Sequence, residues 1–257
     1  METIRKYGRK PYRAYLLHGG PGASGELKPV ALKLSELFGV VECLQTQNTI
    51  DGQITELYSQ IVENSSNPVT IIGYSWGAWL GYLFAGKYPD MVEKLILLSA
   101  APFEREYSDQ IMKTRMERLN QYQRTEAESL LLKIQSGQFS HETLFRFGTL
   151  IEIADSYEIV MDSDDSIEID LEIFKQVWKE AEELRNSDAL INYGKKIKSP
   201  VVAIHGDYDP HPVEGVEKPL KKILGNLKII LLKKCGHRPW KEKYAKEEFF
   251  MALINEL

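Results

Sequence analysis

The segment TIIGYSWGAWLGYLFAGKYP, residues 70–89, sets a serine, Ser75, between Gly73 and Gly77. A β-branched run precedes that serine and a helical pattern follows it. Strand, then G-Y-S-W-G, then helix is the layout of a nucleophile elbow. The turn is tight enough that side chains flanking the serine would clash, so glycine is wanted on both sides. The hydroxyl would emerge at the carboxyl end of a sheet, where open α/β sheets bind ligands. The helix that follows would aim its free N–H groups and partial positive charge at the same point. Beyond Ser75, Gly77, Gly81 and Ala85 fall four apart, small enough to let the helix lie close on a sheet, and Pro89 supplies a stop.

Working outward, short β-rich runs alternate with helical patterns. RAYLLHG (13–19), VVECL (40–44), VTIIGY (69–74), VEKLILLSA (92–100), PVVAIHG (200–206) and LKIILLKK (227–234) read as strands, mostly as near-continuous apolar runs. Between the first two, Leu27, Val30, Ala31, Leu34, Leu37 and Phe38 repeat with helical spacing. DGQITELYSQIVEN is a further helix, and EEFFMALINEL reads as a closing amphipathic one. The pattern predicts an α/β architecture, with a mostly parallel sheet of about six or more strands flanked by helices. Only a dozen residues precede the first of these strands, which predicts a shortened N-terminal part.

Residues 103–192 break the alternation with helical patterns alone: SDQIMKTRMERLNQYQ, TEAESLLLKIQS, HETLFRFGTLIEIAD and DLEIFKQVWKEAEELRN. This stretch is predicted to be a helical cap inserted into a core domain of residues 1–102 and 193–257. In its last helix Leu171, Phe174, Trp178 and Ala181 would share one face, and Phe145, Phe147 and Trp178 would form cap core. The cap is acidic, with Glu152, Asp155, Glu158, Asp162, Asp164 and Asp165, and DSDDS (162–166) reads as an acidic loop. Those carboxylates would be a solvated face unless they turn toward a pocket, where they could bind a free ammonium.

The 257 residues are 43% hydrophobic and 27% charged, ordinary for a globular domain and unlike a disordered or fibrous chain. A net charge of −5 speaks against a nucleic-acid partner. METIRKYGRKPYRAYLL lacks the apolar core of a signal peptide and no window approaches a membrane span, so a cytoplasmic protein without a membrane partner is expected. The two cysteines, Cys43 and Cys235, form no disulfide framework. With no metal-ligand spacing and no phosphate-binding glycine loop, neither a metal nor a cofactor is expected, and the partner is a small-molecule substrate. Oligomeric state is not readable from the sequence.

A serine needs a base to take its proton and a carboxylate to orient that base, here in the chain order Ser, acid, His. DYDPHP follows the strand VVAIHG, and CGHRPW follows IILLKK, so both stand at strand ends. His237 is the expected base, ahead of His18, His141, His205 and His211. Two acids compete: Asp207, better placed to brace its own loop, and Asp209, farther out and better placed to reach His237. An oxyanion hole would take one N–H from Trp76, after the nucleophile, and a second from the HGGPG loop (18–22), where Gly20 is favoured. The Trp76 ring would line the pocket, with Trp79 and Trp240 packing and Cys235 structural.

Taken in order, LLHGGPG, GYSWGAW, HGDYDP and CGHRPW resemble the α/β-hydrolase superfamily over almost the whole chain, and their wording is most similar to the proline iminopeptidase group, serine aminopeptidases with a helical cap. That group usually carries Asp-Gln-Arg-Gly-x-Gly-x-Ser after its next strand, where this chain has LQTQNTIDGQ. The resemblance implies an α/β-hydrolase fold and a serine hydrolase acting on a small ester or amide through an acyl-enzyme. A proline iminopeptidase-like aminopeptidase and a non-catalytic small-molecule binding protein are the alternatives.

Overall fold

A computed structural model describes residues 2–66, 68–160 and 169–257. The chain begins with β1 (Ile4–Tyr7), β2 (Tyr12–Leu17), α1 (Lys28–Ser35), β3 (Gly39–Cys43) and α2 (Ile50–Asn64). The central unit follows: β4 (Val69–Tyr74), α3 (Trp76–Lys87) and β5 (Val92–Leu98). Next come α4 (Ile111–Arg118), α5 (Gln121–Gln135), α6 (His141–Asp155), α7 (Leu171–Asn186) and the single turn α8 (Ala189–Asn192). The chain closes with β6 (Val201–Gly206), α9 (Glu214–Lys221), β7 (Leu227–Leu232) and α10 (Lys246–Asn255).

The seven strands form one sheet in the order β1-β3-β2-β4-β5-β6-β7, parallel except for β1. All six strands read from sequence are present: β4 has the expected bounds, and the ends of the other five differ by at most two residues. The added strand, β1, pairs antiparallel with β3 at the sheet edge. Its residues IRKY carry two cations and only two alternation steps, too weak a pattern to read as a strand. What holds it is tertiary: Tyr7 donates from its hydroxyl to the buried Glu42 carboxylate of β3 at 2.8 Å.

Both faces of the sheet are covered, which is why β4 is buried at every position. On one face α2, α3 and α9 pack Leu57, Trp79, Tyr82 and Leu220 against Leu17, Ile71 and Leu97. On the other, α1 and α10 pack Leu34, Phe249 and Leu253 against Leu16, Ile72 and Ile204. Burying a large apolar side chain stabilises by about 1.5–3 kcal/mol, so these two layers hold the helices against the sheet.

The helices α4 to α7 form an insertion between β5 and β6. Residues 108–123 do not form one helix: Asn120 accepts from the Gln123 N–H while the Gln123 side chain accepts from the Asn120 N–H, and this capping box starts α5 afresh. In α7 the buried face is Ile173, Val177 and Ala181; Ala181 is part of the predicted stripe, whereas Phe174 and Trp178 each lie one residue off the buried face. Trp178 is accordingly 37% exposed, and Phe145 is 58% exposed, so neither is core. Phe147 does pack against the small cluster of Leu119, Ala127, Leu150 and Ala154. Among the described residues no helix is long and apolar enough to cross a membrane.

Candidate active site

Ser75 sits between β4 and α3 with φ 51° and ψ −111°, a left-handed backbone that costs a non-glycine residue about 1–3 kcal/mol. The surroundings over-determine it. Its N–H donates to the Leu98 carbonyl of β5 at 2.9 Å, and its carbonyl accepts from the Ala78 N–H. A Cβ on Gly73 would come within 2.7 Å of the Ala78 Cα, and one on Gly77 within 2.6 Å of the His18 carbonyl oxygen. The two glycines are thus required for close approach of backbone to backbone, which jams the turn and leaves the Ser75 side chain partly exposed.

The partners arrive from 134 and 162 residues downstream. His237 Nε2 lies 3.2 Å from Ser75 Oγ, and His237 Nδ1 lies 2.8 Å from Asp209 Oδ2. An ionised carboxylate only accepts, so the proton of the second contact sits on Nδ1 and the Nε2 lone pair faces the serine. Burial alone would raise the Asp209 pKa, but His237, His211 and His205 around it hold the carboxyl well below the usual carboxylate range. Asp207 instead braces the loops: its carboxylate accepts from the Cys235 N–H at 3.4 Å and pairs with Lys233.

The His237 loop is pinned from the insertion. Its own N–H donates to the Asp155 carbonyl at the end of α6 at 2.9 Å. Glu242, 0% exposed, accepts from the N–H groups of Tyr157, Glu158 and Gly236. The adjacent Arg238 bridges Glu26 at 2.8 Å and Glu152 at 2.6 Å, while Glu26 accepts from the Gly19 N–H of the HGGPG loop. That loop is held on its far side by the Asp170 N–H, which donates to the Gly22 carbonyl.

Gly20 takes φ +38°, and neither its N–H nor that of Trp76 donates to a protein acceptor among the described residues. The expected role for the Trp76 ring is not met. The indole is 1% exposed, packs edge-on to Trp79, and donates through Nε1 to the Gln45 and Gln53 side-chain oxygens. Consecutive helical residues point about 100° apart, so Trp76, one place after Ser75, turns its ring into the core. Trp79 and Trp240 are packed as expected, and burial pushes the Cys235 thiol pKa up, leaving it inert.

Of the acidic residues, Glu152 pairs with Arg238 and Lys241, Asp155 pairs bidentately with Arg115, and Glu158 pairs with Lys243. Asp162, Asp164 and Asp165 lie outside the described residues. One residue was set aside in sequence and proves central: the imidazole of His211 contacts Asp209 Oδ1 at 2.8 Å and stacks on His237 with ring centroids 4.4 Å apart. The signal that could have found it was its place two residues after the acid, where an Asx turn draws the backbone N–H of His211 onto the Asp209 carboxylate and holds the imidazole beside it. Asp209, His211 and His237 bring donor atoms within 4.8 Å of one another, but these atoms are engaged in direct mutual hydrogen bonds and are not read as a metal site.

A family model described as the alpha/beta hydrolase fold matches residues 63–243. Solved structures with the same fold include VinJ (18% identity, TM-score 0.71, covering 98% of this chain and 93% of that one). They also include a proline iminopeptidase from Mycobacterium smegmatis (16%, 0.67, 98% and 92%). A monoacylglycerol lipase from Paleococcus ferrophilus is a third (17%, 0.63, 100% and 98%). No curated protein sequence matches the chain.

Proposed function

Because the chain belongs to the α/β-hydrolase fold family, we infer that it is a serine hydrolase that cleaves a small ester or amide through an acyl-enzyme. The observation that carries this reading is the relay of contacts from Ser75 Oγ through the His237 imidazole to Asp209. His237 Nε2 takes the serine proton as Oγ attacks the substrate carbonyl carbon. Asp209 holds the ring in the tautomer with its proton on Nδ1 and steadies the imidazolium that forms. The developing oxyanion is received by the Gly20 and Trp76 amides, each such donor being worth about 2.7–4 kcal/mol of barrier. His237 returns the proton to the leaving group, and water, deprotonated by the same ring, releases the acid. Helices α4 to α7 act as the cap over this centre, and the strained Ser75 backbone favours turnover over mere ligand binding.

An ester is favoured over an N-terminal proline amide. An aminopeptidase needs a carboxylate free to hold the substrate ammonium, and among the described residues of the acidic stretch Glu152, Asp155 and Glu158 are each engaged by a cation of the protein itself. The test is labelling by a fluorophosphonate probe, together with turnover of short p-nitrophenyl esters and of prolyl-naphthylamide. Labelling should be lost in Ser75→Ala, and ester turnover should exceed prolyl amide turnover. Labelling retained by Ser75→Ala would move the nucleophile elsewhere, and vigorous prolyl amide turnover would make the protein an aminopeptidase. Tight ligand binding without any turnover would make it a binding protein.

A further inference from the structure

The Asp209 carboxylate is held by two imidazoles, one on each oxygen. His237 Nδ1 meets Oδ2 and His211 Nδ1 meets Oδ1, both at 2.8 Å, and the rings stack with an interplanar angle of 28°. The His211 backbone N–H adds a second donor to Oδ1 at 2.9 Å, and its carbonyl accepts from His205 Nε2 at 2.7 Å. The sequence DPHP builds this: prolines at 210 and 212 fix the backbone on both sides of His211, so the imidazole is returned to the carboxylate with little freedom to lose. The other titratable groups around the pair are Arg115 of α4, itself bound to Asp155, together with Tyr74 of β4, His205 of β6 and Cys235.

We propose that His211 is a positioning residue for the Ser75–His237 relay: it locks the rotation of the Asp209 carboxylate and takes up part of its charge. The proposal rests on the serine-hydrolase reading. A carboxylate pinned through one oxygen can turn about its Cβ–Cγ bond, but with donors on both oxygens it presents Oδ2 to His237 in one orientation. Only a neutral His211 can do this without harm, because an imidazolium stacked 4.4 Å from His237 would repel the charge His237 acquires when it takes the serine proton. Burial, then the neighbouring His237, outweigh the pull of Asp209 and lower the His211 pKa to about 4, so the ring is neutral in the working range. Loss of the His211 donor leaves more of the Asp209 charge acting on His237, which favours imidazolium and disarms the base at higher pH.

The test uses the full chain and the rate constant for fluorophosphonate labelling of Ser75 across about pH 5 to 9, a range that spans histidine titration. His211→Phe keeps a stacked ring without the Nδ1–H donor; His211→Asn places an amide donor close to where Nδ1 stands. In His211→Phe the labelling rate should fall about tenfold, as for one lost hydrogen bond to a charged group. Its acidic limb should also move up by about half a unit to one unit, and His211→Asn should restore both. A phenylalanine variant with the wild-type rate and limb overturns the proposal, as does an asparagine variant no better than phenylalanine. Should the phenylalanine variant fail to fold, ring-nitrogen NMR of the wild type decides: His211 neutral with its proton on Nδ1 at neutral pH supports the proposal, and an imidazolium or the other tautomer overturns it. Ser75→Ala separates the two levels. Labelling that survives there defeats the hydrolase reading, whereas labelling lost there beside an unmoved His211→Phe profile defeats this inference alone.

Discussion

Replacing His211 with asparagine should make the folded protein less sensitive to mild acid, by an amount the structure sets. In the folded state burial, ahead of the charge on His237, lowers the His211 pKa from 6.5 to about 4. Between those values the unfolded chain binds the proton and the folded chain does not, so stability rises with pH across that window. The contribution is fully present above the unfolded value and is lost as pH falls toward the folded one. At about pH 5 nearly every unfolded molecule carries the proton and about one folded molecule in ten does, which costs about 2 kcal/mol relative to pH 7. Asp209 works in the opposite range: its pKa is held down in the fold, so its contribution stands above about pH 4 and fails only below it. Urea unfolding followed by tryptophan fluorescence gives the difference directly. Whatever its stability at neutral pH, His211→Asn should lose about 2 kcal/mol less than wild type between about pH 7 and pH 5. The remaining groups are common to both proteins and largely cancel in the comparison. Parallel pH dependence of the two proteins, agreeing within about 0.5 kcal/mol, would refute a neutral buried His211.

Two further substitutions probe the relay and its support. Asp209→Asn keeps the shape of the side chain but replaces one acceptor oxygen by a donor, so His237 adopts the wrong tautomer; ester turnover should drop by about 10⁴ while circular dichroism stays native. Glu242→Gln leaves too few acceptor lone pairs in good geometry for the N–H groups of Tyr157, Glu158 and Gly236. It should destabilise by about 1–3 kcal/mol in urea and slow Ser75 labelling, since Gly236 carries His237; a folded variant labelled at the wild-type rate would show that the tie is dispensable.

The sequence was most readable where backbone chemistry forces residue type. Gly73 and Gly77 could be read as steric necessities before any coordinates, because no other residue survives so close to Leu17, His18 and Ala78. Central strands such as β4 and β6, buried at every position, announced themselves as unbroken apolar runs, and Asp209 and His237 were picked out by their places just after strands. Side-chain direction was harder. Trp76 was assigned to the pocket from adjacency to Ser75, yet a neighbour in sequence at a helix start faces elsewhere, here toward Gln45 and Gln53. In α7, apolar character alone makes Trp178 a core candidate, whereas the smaller Ile173 and Val177, beside the predicted Ala181, fit the space against the body of the protein. Hydrophobicity names candidates for burial, and packing shape chooses among them. His211 escaped because its partner is a charge, and no periodicity reports a hydrogen bond.

The same limit applies to the acidic residues of the insertion, and there it changes the chemistry. Read along the chain, Glu152, Asp155 and Glu158 look like a solvated face or a ready-made site for an ammonium. In space each is matched: Glu152 to Arg238 and Lys241, Asp155 to Arg115, Glu158 to Lys243. The matched cations Arg238, Lys241 and Lys243 lie within six residues after His237, and the main-chain carbonyl of Asp155 receives the His237 N–H. A carboxylate at the surface gains little from a cation, but Arg115 with Asp155 and Arg238 with Glu26 are largely withdrawn from water, where removing one partner strands the other at a cost of about 3–5 kcal/mol. Glu152, Asp155 and Glu158 therefore work as a counter-surface for the loop that carries His237. Arg238 extends that surface through Glu26 to Gly19, so the insertion, the base loop and the HGGPG loop share one network of charge-assisted contacts. Charges committed to holding His237 and Gly19 in place are unavailable to a charged substrate, which supports the proposed preference for a neutral ester over an amine.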